Sequence, residues 1–115
     1  MLTIYGIKNC DTMKKALKWL TENGIEHTFH DYRKAGLTRQ MLLGWEAQLG
    51  WALLVNKRGT TWRKFDDEVK QKMNSENSID VMLENEAVIK RPLLDLGDGR
   101  LELGFKAERY AELFL

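Results

Sequence analysis

The N-terminal part of the chain alternates between two apolar patterns, and this alternation restricts the fold more than any other feature. Leu2 to Tyr5 form a short apolar run typical of a strand. Residues 11–23 carry apolar side chains at helical spacing, and Gly24 then favours a helix stop. Residues 25–29 alternate apolar and polar side chains, which predicts a second strand. A strand, a helix and a strand within about 30 residues form a βαβ unit, so we predict two parallel strands joined by a right-handed crossover.

The C-terminal part predicts two more strands and a helix. Leucines at 93–96 and 101–103 flank Gly97-Asp98-Gly99, a strong hairpin signal. Apolar side chains over 107–114 then follow helical spacing. This half is therefore predicted to have the element order ββα.

The middle of the chain is predicted to be mostly helical. One helix begins after Thr38 as N-cap and ends at Gly50, and two others are expected over 66–73 and around 79–87. Residues 33–36 are interpreted as a break, and residues 55–64 as a loop without regular period.

Together these patterns predict an α/β protein with a thioredoxin-like fold. A central mixed four-stranded sheet carries a helical insertion between its βαβ and ββα halves. We predict one domain of 115 residues, with the thioredoxin-like core at about 1–34 and 89–115 and the insertion at about 35–88.

Composition excludes several classes of function. Seventeen acidic residues nearly balance eighteen basic ones, so nothing favours a broad grip on nucleic acid. No apolar run approaches the roughly 20 residues that span a bilayer, and no signal peptide is visible, so no membrane partner is expected. A single cysteine excludes an internal disulfide, and we predict a reducing, cytoplasmic location.

That cysteine, Cys10, lies where the first strand gives way to the first helix. Exposed N–H groups and the helix dipole favour an anion there, so Cys10 is a candidate thiolate nucleophile, with Lys8 nearby. The alternative is a small buried hydrophobe. Asp11 beside the sulfur opposes a thiolate. Met13 stands where a Cys-x-x-Cys pair has its second thiol, so any redox cycle needs an outside thiol.

Other candidates are weaker. The basic segment 57–64 could bind a carboxylate or oxyanion or be a solvated loop, and Arg91 could be functional or a surface residue. Two histidines without further ligands give no metal site, so none is predicted. The tryptophans favour packing over a stacking platform; they are Trp45, Trp51 and Trp62.

Four segments taken together resemble the ArsC/Spx family, specifically its YffB-like branch. They are Tyr5-Gly6-Ile7-Lys8-Asn9-Cys10-Asp11-Thr12, His30-Asp31-Tyr32-Arg33, Arg58-Gly59-Thr60-Thr61-Trp62-Arg63-Lys64 and Ile89-Lys90-Arg91-Pro92-Leu93. The resemblance covers essentially the whole chain. It implies a thioredoxin-like fold with a helical insertion and a cis bond before Pro92.

The same resemblance implies the site. Cys10 is the catalytic residue, and the side chains and helix start around it stabilise the thiolate, namely Lys8, Asn9 and Thr12. The residues that the resemblance implies for binding an anion or glutathione are Arg58, Arg63, Arg91, Pro92 and Lys106. Lys57 is an alternative to Arg58 as the loop residue that faces the sulfur. Lys106 replaces the third arginine of the arsenate-reducing branch, which speaks against arsenate.

The resemblance thus predicts a glutathione-dependent thiol reductase in which Cys10 attacks a disulfide or accepts glutathione, and a second glutathione regenerates the thiol. Glutathione is the expected co-substrate, a small disulfide or oxyanion the substrate, and glutaredoxin a candidate partner. Two alternatives stand: an arsenate reductase linked to glutathione and glutaredoxin, and a non-catalytic Spx-like regulator that binds RNA polymerase.

Overall fold

A computed structural model describes residues 1–115. The chain divides into two compact units, a first unit of Met1–Gly36 with Arg91–Leu115 and a second unit of Leu37–Lys90. In chain order the elements are β1 (Thr3–Gly6), α1 (Asp11–Glu22), β2 (Thr28–Asp31), α2 (Tyr32–Ala35), α3 (Arg39–Leu49), α4 (Trp51–Leu54), α5 (Thr60–Arg63), α6 (Asp67–Lys72), α7 (Asn77–Glu84), a 3-10 turn (Glu86–Val88), β3 (Leu93–Asp95), β4 (Leu101–Leu103) and α8 (Ala107–Phe114).

The first unit is built on a four-stranded mixed sheet of strand order β2-β1-β3-β4. β1 and β2 are parallel, with Thr3 opposite Thr28 and Gly6 opposite Asp31. β3 runs antiparallel to both β1 and β4, and Tyr5 lies opposite Leu93. The βαβ unit, the mixed sheet and the C-terminal ββα half are as predicted and confirm the thioredoxin-like fold class.

The core of the first unit lies between the sheet and the two long helices, α1 and α8. Alternation in β1 buries Ile4 completely, and helical spacing in α1 buries Met13, Ala16 and Leu20 completely. From α8, the ring of Tyr110 enters the same cluster. This packing fixes α1, and with it the residue that precedes the helix, on the sheet.

Two local predictions for the first unit are wrong. The second strand begins at Thr28 rather than at residue 25, because β1 offers only four residues for pairing and its first, Thr3, lies opposite Thr28. Residues 33–36, predicted as a break, belong largely to the short helix α2. Asp31 caps this helix by accepting a hydrogen bond from the Arg33 N–H at 2.9 Å, and Gly36 ends it.

The second unit is helical, as predicted. Thr38 caps α3 by accepting a hydrogen bond from the Met41 N–H at 3.2 Å. α3 packs against α7, and Arg39 forms an ion pair with Asp80. The buried apolar side chains of this unit are Leu42, Trp45, Leu54, Val55, Met73, Ile79, Met82, Val88 and Ile89.

The prediction of a loop over 55–64 is partly wrong, because its last residues form the one-turn helix α5. Asn56 shapes the turn before it: its N–H donates to Val88 at 2.8 Å, and its side-chain oxygen accepts from the Arg58 N–H at 3.2 Å. Gly59 then donates its N–H to the Asn56 carbonyl. These local bonds give order to a segment that lacks apolar periodicity. None of the helices combines the length and the apolar character that spanning a membrane requires.

Candidate active site

Cys10 is the N-cap residue of the 12-residue helix α1, with an extended backbone at φ −124° and ψ 126°. It is half-buried and its thiol is free. Its carbonyl accepts the first helical hydrogen bond, from the Lys14 N–H at 3.0 Å. The sulfur therefore lies at the positive end of a helix that is packed on the sheet.

The environment of Cys10 favours the thiolate. Partial burial by itself raises the pKa of the thiol. The Met13 N–H, the Arg91 guanidinium and the Thr12 N–H act in the opposite direction and bring the pKa below its usual value. The sulfur makes no regular side-chain capping hydrogen bond, so the helix start acts on it as a set of nearby dipoles.

Arg91 reaches this site from the other end of the chain. The peptide bond between Arg91 and Pro92 is cis, as the resemblance implied. Pro92 is buried, and its carbonyl accepts a hydrogen bond from the Gly104 N–H at 2.8 Å. Arg91 hydrogen bonds to the Cys10 sulfur and also acts on it by charge. The structure thus brings together Cys10 and Arg91, which are separated by most of the sequence.

Sheet register explains this meeting. Because Tyr5 of β1 lies opposite Leu93 of antiparallel β3, the end of β1 adjoins the beginning of β3. Cys10 follows the end of β1, and Arg91 precedes the beginning of β3. The two side chains therefore emerge at the same edge of the sheet.

Tyr32, to which no role was assigned from the sequence, lies at the same edge. Gly6 pairs with Asp31, so Tyr32 follows the end of β2 as Cys10 follows the end of β1. Its side chain is only 4% exposed, and the charge of Arg91 acts on its hydroxyl. Its position directly after a strand parallel to β1 is a signal that sequence reasoning could have used.

The other predicted residues of the first unit are exposed. Lys8 and Asn9 lie in the turn before α1, and neither is among the groups that shift the pKa of Cys10. Thr12 contributes its backbone N–H. Asp11 is also exposed and is not among those groups. Lys106 is the exposed N-cap residue of α8.

Arg58 and Arg63 belong to the second unit, and both are exposed. Lys57 is exposed as well, but its ammonium lies over two indole rings, 5.3 Å from the centroid of Trp51 and 5.9 Å from that of Trp62. Trp45 is buried. Trp45 therefore packs inside its unit, as expected, whereas Trp51 and Trp62 are half-buried and hold a lysine of the same unit against their rings.

The histidines have local contacts. His27 Nδ1 lies 2.8 Å from the Ile25 carbonyl, and His30 Nε2 lies 2.7 Å from the Gly36 carbonyl. No group of three or more His, Cys, Asp or Glu side chains in the chain could hold a metal ion.

Comparison with known proteins places these features in a family. The sequence pattern of the ArsC family matches residues 5–113. A protein of Haemophilus influenzae is 50% identical over 114 residues, which cover 99% of each chain. The solved structure of a YffB protein superposes with a TM-score of 0.93 and 43% identity over 100% of both chains. The solution structure of an arsenate reductase (ArsC) related protein from Brucella melitensis superposes with a TM-score of 0.82 and 44% sequence identity. The match covers 99% of this chain and 95% of that one.

Proposed function

Since this chain belongs to the ArsC family, as its sequence predicted, we propose that it is a thiol reductase that uses Cys10 as its nucleophile and glutathione as its reductant. The observation that carries the proposal is the pairing of the Cys10 sulfur with Arg91 at the start of α1, which lowers the pKa of the thiol. A lowered pKa gives more thiolate at neutral pH, and the thiolate is the reactive form.

The reaction balances with glutathione alone. The Cys10 thiolate attacks one sulfur of a substrate disulfide, forms a mixed disulfide and releases the other sulfur as a thiolate that takes up a proton. One glutathione thiolate then attacks the Cys10 sulfur of the mixed disulfide and releases the second substrate thiolate, which leaves glutathione on Cys10. A second glutathione thiolate attacks the sulfur of the bound glutathione and releases the Cys10 thiolate. Two glutathione molecules supply the two electrons for a general disulfide, and glutathione disulfide leaves. The single cysteine of the chain supports this route, because no second thiol can form an internal disulfide with Cys10.

Arg91 has two roles in this proposal. Its positive charge stabilises the Cys10 thiolate before attack and again when the thiolate leaves the mixed disulfide. Its guanidinium also suits a carboxylate of glutathione. The assignment of Arg58, Arg63 and Lys106 to glutathione carboxylates, and of glutaredoxin as a partner, rests on the family resemblance.

Mass spectrometry of the intact protein after incubation with glutathione disulfide tests the proposal. We expect one glutathionyl group on Cys10, removed by excess glutathione, and none on Cys10→Ser. Arg91→Gln should acquire the group more slowly, whereas Arg100→Gln should match the wild type because Arg100 pairs with Asp98 on the exposed hairpin. Absence of the adduct, together with an alkylation midpoint at the value of free cysteine, would overturn the proposal.

A second candidate is arsenate reduction, favoured by the name of the related protein from Brucella melitensis. Here the Cys10 thiolate would attack the arsenic of a bound arsenate and displace one oxygen as water. One glutathione would then reduce the arsenic to arsenite and remain joined to Cys10 in a mixed disulfide, which a second glutathione or glutaredoxin would reduce. An assay with arsenate, glutathione and glutaredoxin separates the two candidates. Turnover that Cys10→Ser abolishes supports arsenate as substrate; no turnover from a protein that still forms the glutathione adduct rejects it.

A further inference from the structure

We propose that Tyr32 is a positioning residue, which holds the Arg91 guanidinium beside the Cys10 sulfur. The inference rests on the proposed function of Cys10 as a nucleophile, and it gives a role to a segment, His30-Asp31-Tyr32-Arg33, that the reaction does not otherwise use. It concerns the first unit alone.

The topology of the sheet places the three residues at one edge. β1 lies between parallel β2 and antiparallel β3, with Gly6 opposite Asp31 and Tyr5 opposite Leu93. Tyr32 is the residue after β2, and Arg91 comes two residues before β3. Both therefore adjoin the segment between β1 and α1 that ends at Cys10, and they flank it from opposite sides.

Tyr32 is fixed in place from both ends of α2. Asp31 caps the helix through the Arg33 N–H, which sets the first residue of the turn. His30 Nε2 lies 2.7 Å from the carbonyl of Gly36, which binds the end of α2 back to β2. The His30 ring also packs on Tyr5, with 4.9 Å between centroids. A four-residue helix held this way is a rigid support for its first side chain.

Polar atoms of both Tyr32 and Arg91 are shielded from water. The Tyr32 hydroxyl oxygen and Arg91 Nε are both inaccessible to solvent, and the whole Tyr32 residue is 4% exposed. Such burial limits the rotamers of a long side chain, so less entropy is lost when the guanidinium engages the sulfur.

Tyr32 is also a suitable neighbour for Arg91, because a neutral hydroxyl does not cancel the positive charge that acts on Cys10. Burial raises the pKa of its hydroxyl far above neutral; the Arg91 charge lowers it and Tyr5 raises it, and burial dominates. The residue is therefore uncharged at physiological pH. A carboxylate at this place would neutralise Arg91, whereas a neutral phenol leaves the positive charge acting on Cys10.

The test is the pH dependence of Cys10 alkylation by iodoacetamide in full-length variants. We expect Tyr32→Phe to raise the pH midpoint of Cys10 alkylation and to lower the alkylation rate at pH 7 about threefold, which is the effect of losing one modest polar interaction. Tyr32→Leu should lower the same rate about tenfold. Tyr110→Phe is the matched control, because Tyr110 has a buried hydroxyl in the same unit that Glu102 rather than Arg91 influences. Its alkylation midpoint should equal that of the wild type.

A double-mutant cycle separates positioning from general destabilisation. In an Arg91→Gln background, Tyr32→Phe should leave the alkylation midpoint unchanged, since the cation it orients is gone. An unchanged midpoint in folded Tyr32→Phe, or an equal shift in both backgrounds, would overturn the inference. These results are distinct from failure of the proposed function, which is the absence of a glutathione adduct on the wild-type protein.

Discussion

Gly6 and Met13 pack so closely that a side chain at position 6 would have to displace the side chain of Met13. A Cβ built on Gly6 would overlap the Met13 sulfur and lie 2.8 Å from its methyl carbon. Met13 is fully buried, so its side chain cannot move aside into solvent. The contact joins the last residue of β1 to the first turn of α1, and Cys10 lies in the connection that it closes.

Gly6→Ala should lower the free energy of unfolding by about 1–3 kcal/mol, because an added methyl in a packed core forces its neighbours to shift. Urea denaturation measures the change. Gly44→Ala is the matched control: Gly44 lies inside α3, nothing stands within 4 Å of an added Cβ, and the change should stabilise by about 0.5–1 kcal/mol. Equal effects of the two substitutions would contradict the role of the Gly6–Met13 contact.

Met13→Cys should change the redox product. It creates the Cys-x-x-Cys pattern at the start of α1, so the mixed disulfide on Cys10 gives way to an internal one. After glutathione disulfide treatment, intact mass should show the loss of two hydrogens instead of a glutathionyl group. Lys18→Cys, which places a thiol on the exposed face of α1 beyond reach of Cys10, should instead carry glutathione on both cysteines. A persistent adduct in Met13→Cys would show that the buried site cannot supply a resolving thiol.

The lowered pKa of Cys10 predicts a pH-dependent stability. In the window between the folded pKa and the usual value of about 9.0, the unfolded chain binds a proton that the folded protein does not. The free energy of unfolding of the wild type, relative to that of Cys10→Ser, should therefore rise as pH increases through this window and level off above it. This gain in stability is lost as pH falls through the folded pKa. Denaturation of both proteins across this range measures the difference. In an Arg91→Gln background the rise should be smaller; a rise of equal size there would exclude Arg91 as a cause.

We expect the cations of the basic segment 57–64 to have different roles. Lys57 lies over Trp51 and Trp62, so Lys57→Met should cost about 0.5–1 kcal/mol of stability and leave the KM for glutathione unchanged. Arg58→Ala should raise that KM, because an exposed guanidinium suits a carboxylate. Lys64→Ala, an exposed cation in the same segment, is the control. If the KM for glutathione rose in Lys57→Met but not in Arg58→Ala, carboxylate binding would have to be assigned to Lys57 instead of Arg58.

Sequence patterns were sufficient where one local rule decided the structure. Apolar spacing defined α1 and α8, Thr38 marked the cap of α3, and the glycines at 97 and 99 marked the hairpin. The patterns were insufficient at the ends of elements. Residues 25–27 alternate like a strand, but β1 is too short to pair with them. The helix α5 lacks an apolar period and depends on hydrogen bonds around Asn56.

The sequence alone was enough to identify the candidate nucleophile, because the chain has one cysteine at a strand-to-helix turn and no second thiol three residues on. The groups that act on that sulfur became visible in the folded chain. Sheet register brings Arg91 and Tyr32 to the edge where Cys10 lies, whereas Lys8 and Asp11, which are close to Cys10 in the chain, are exposed. Side chains of residues that are adjacent in the chain can point in different directions. Strand pairing, by contrast, brings together residues that are far apart in the sequence.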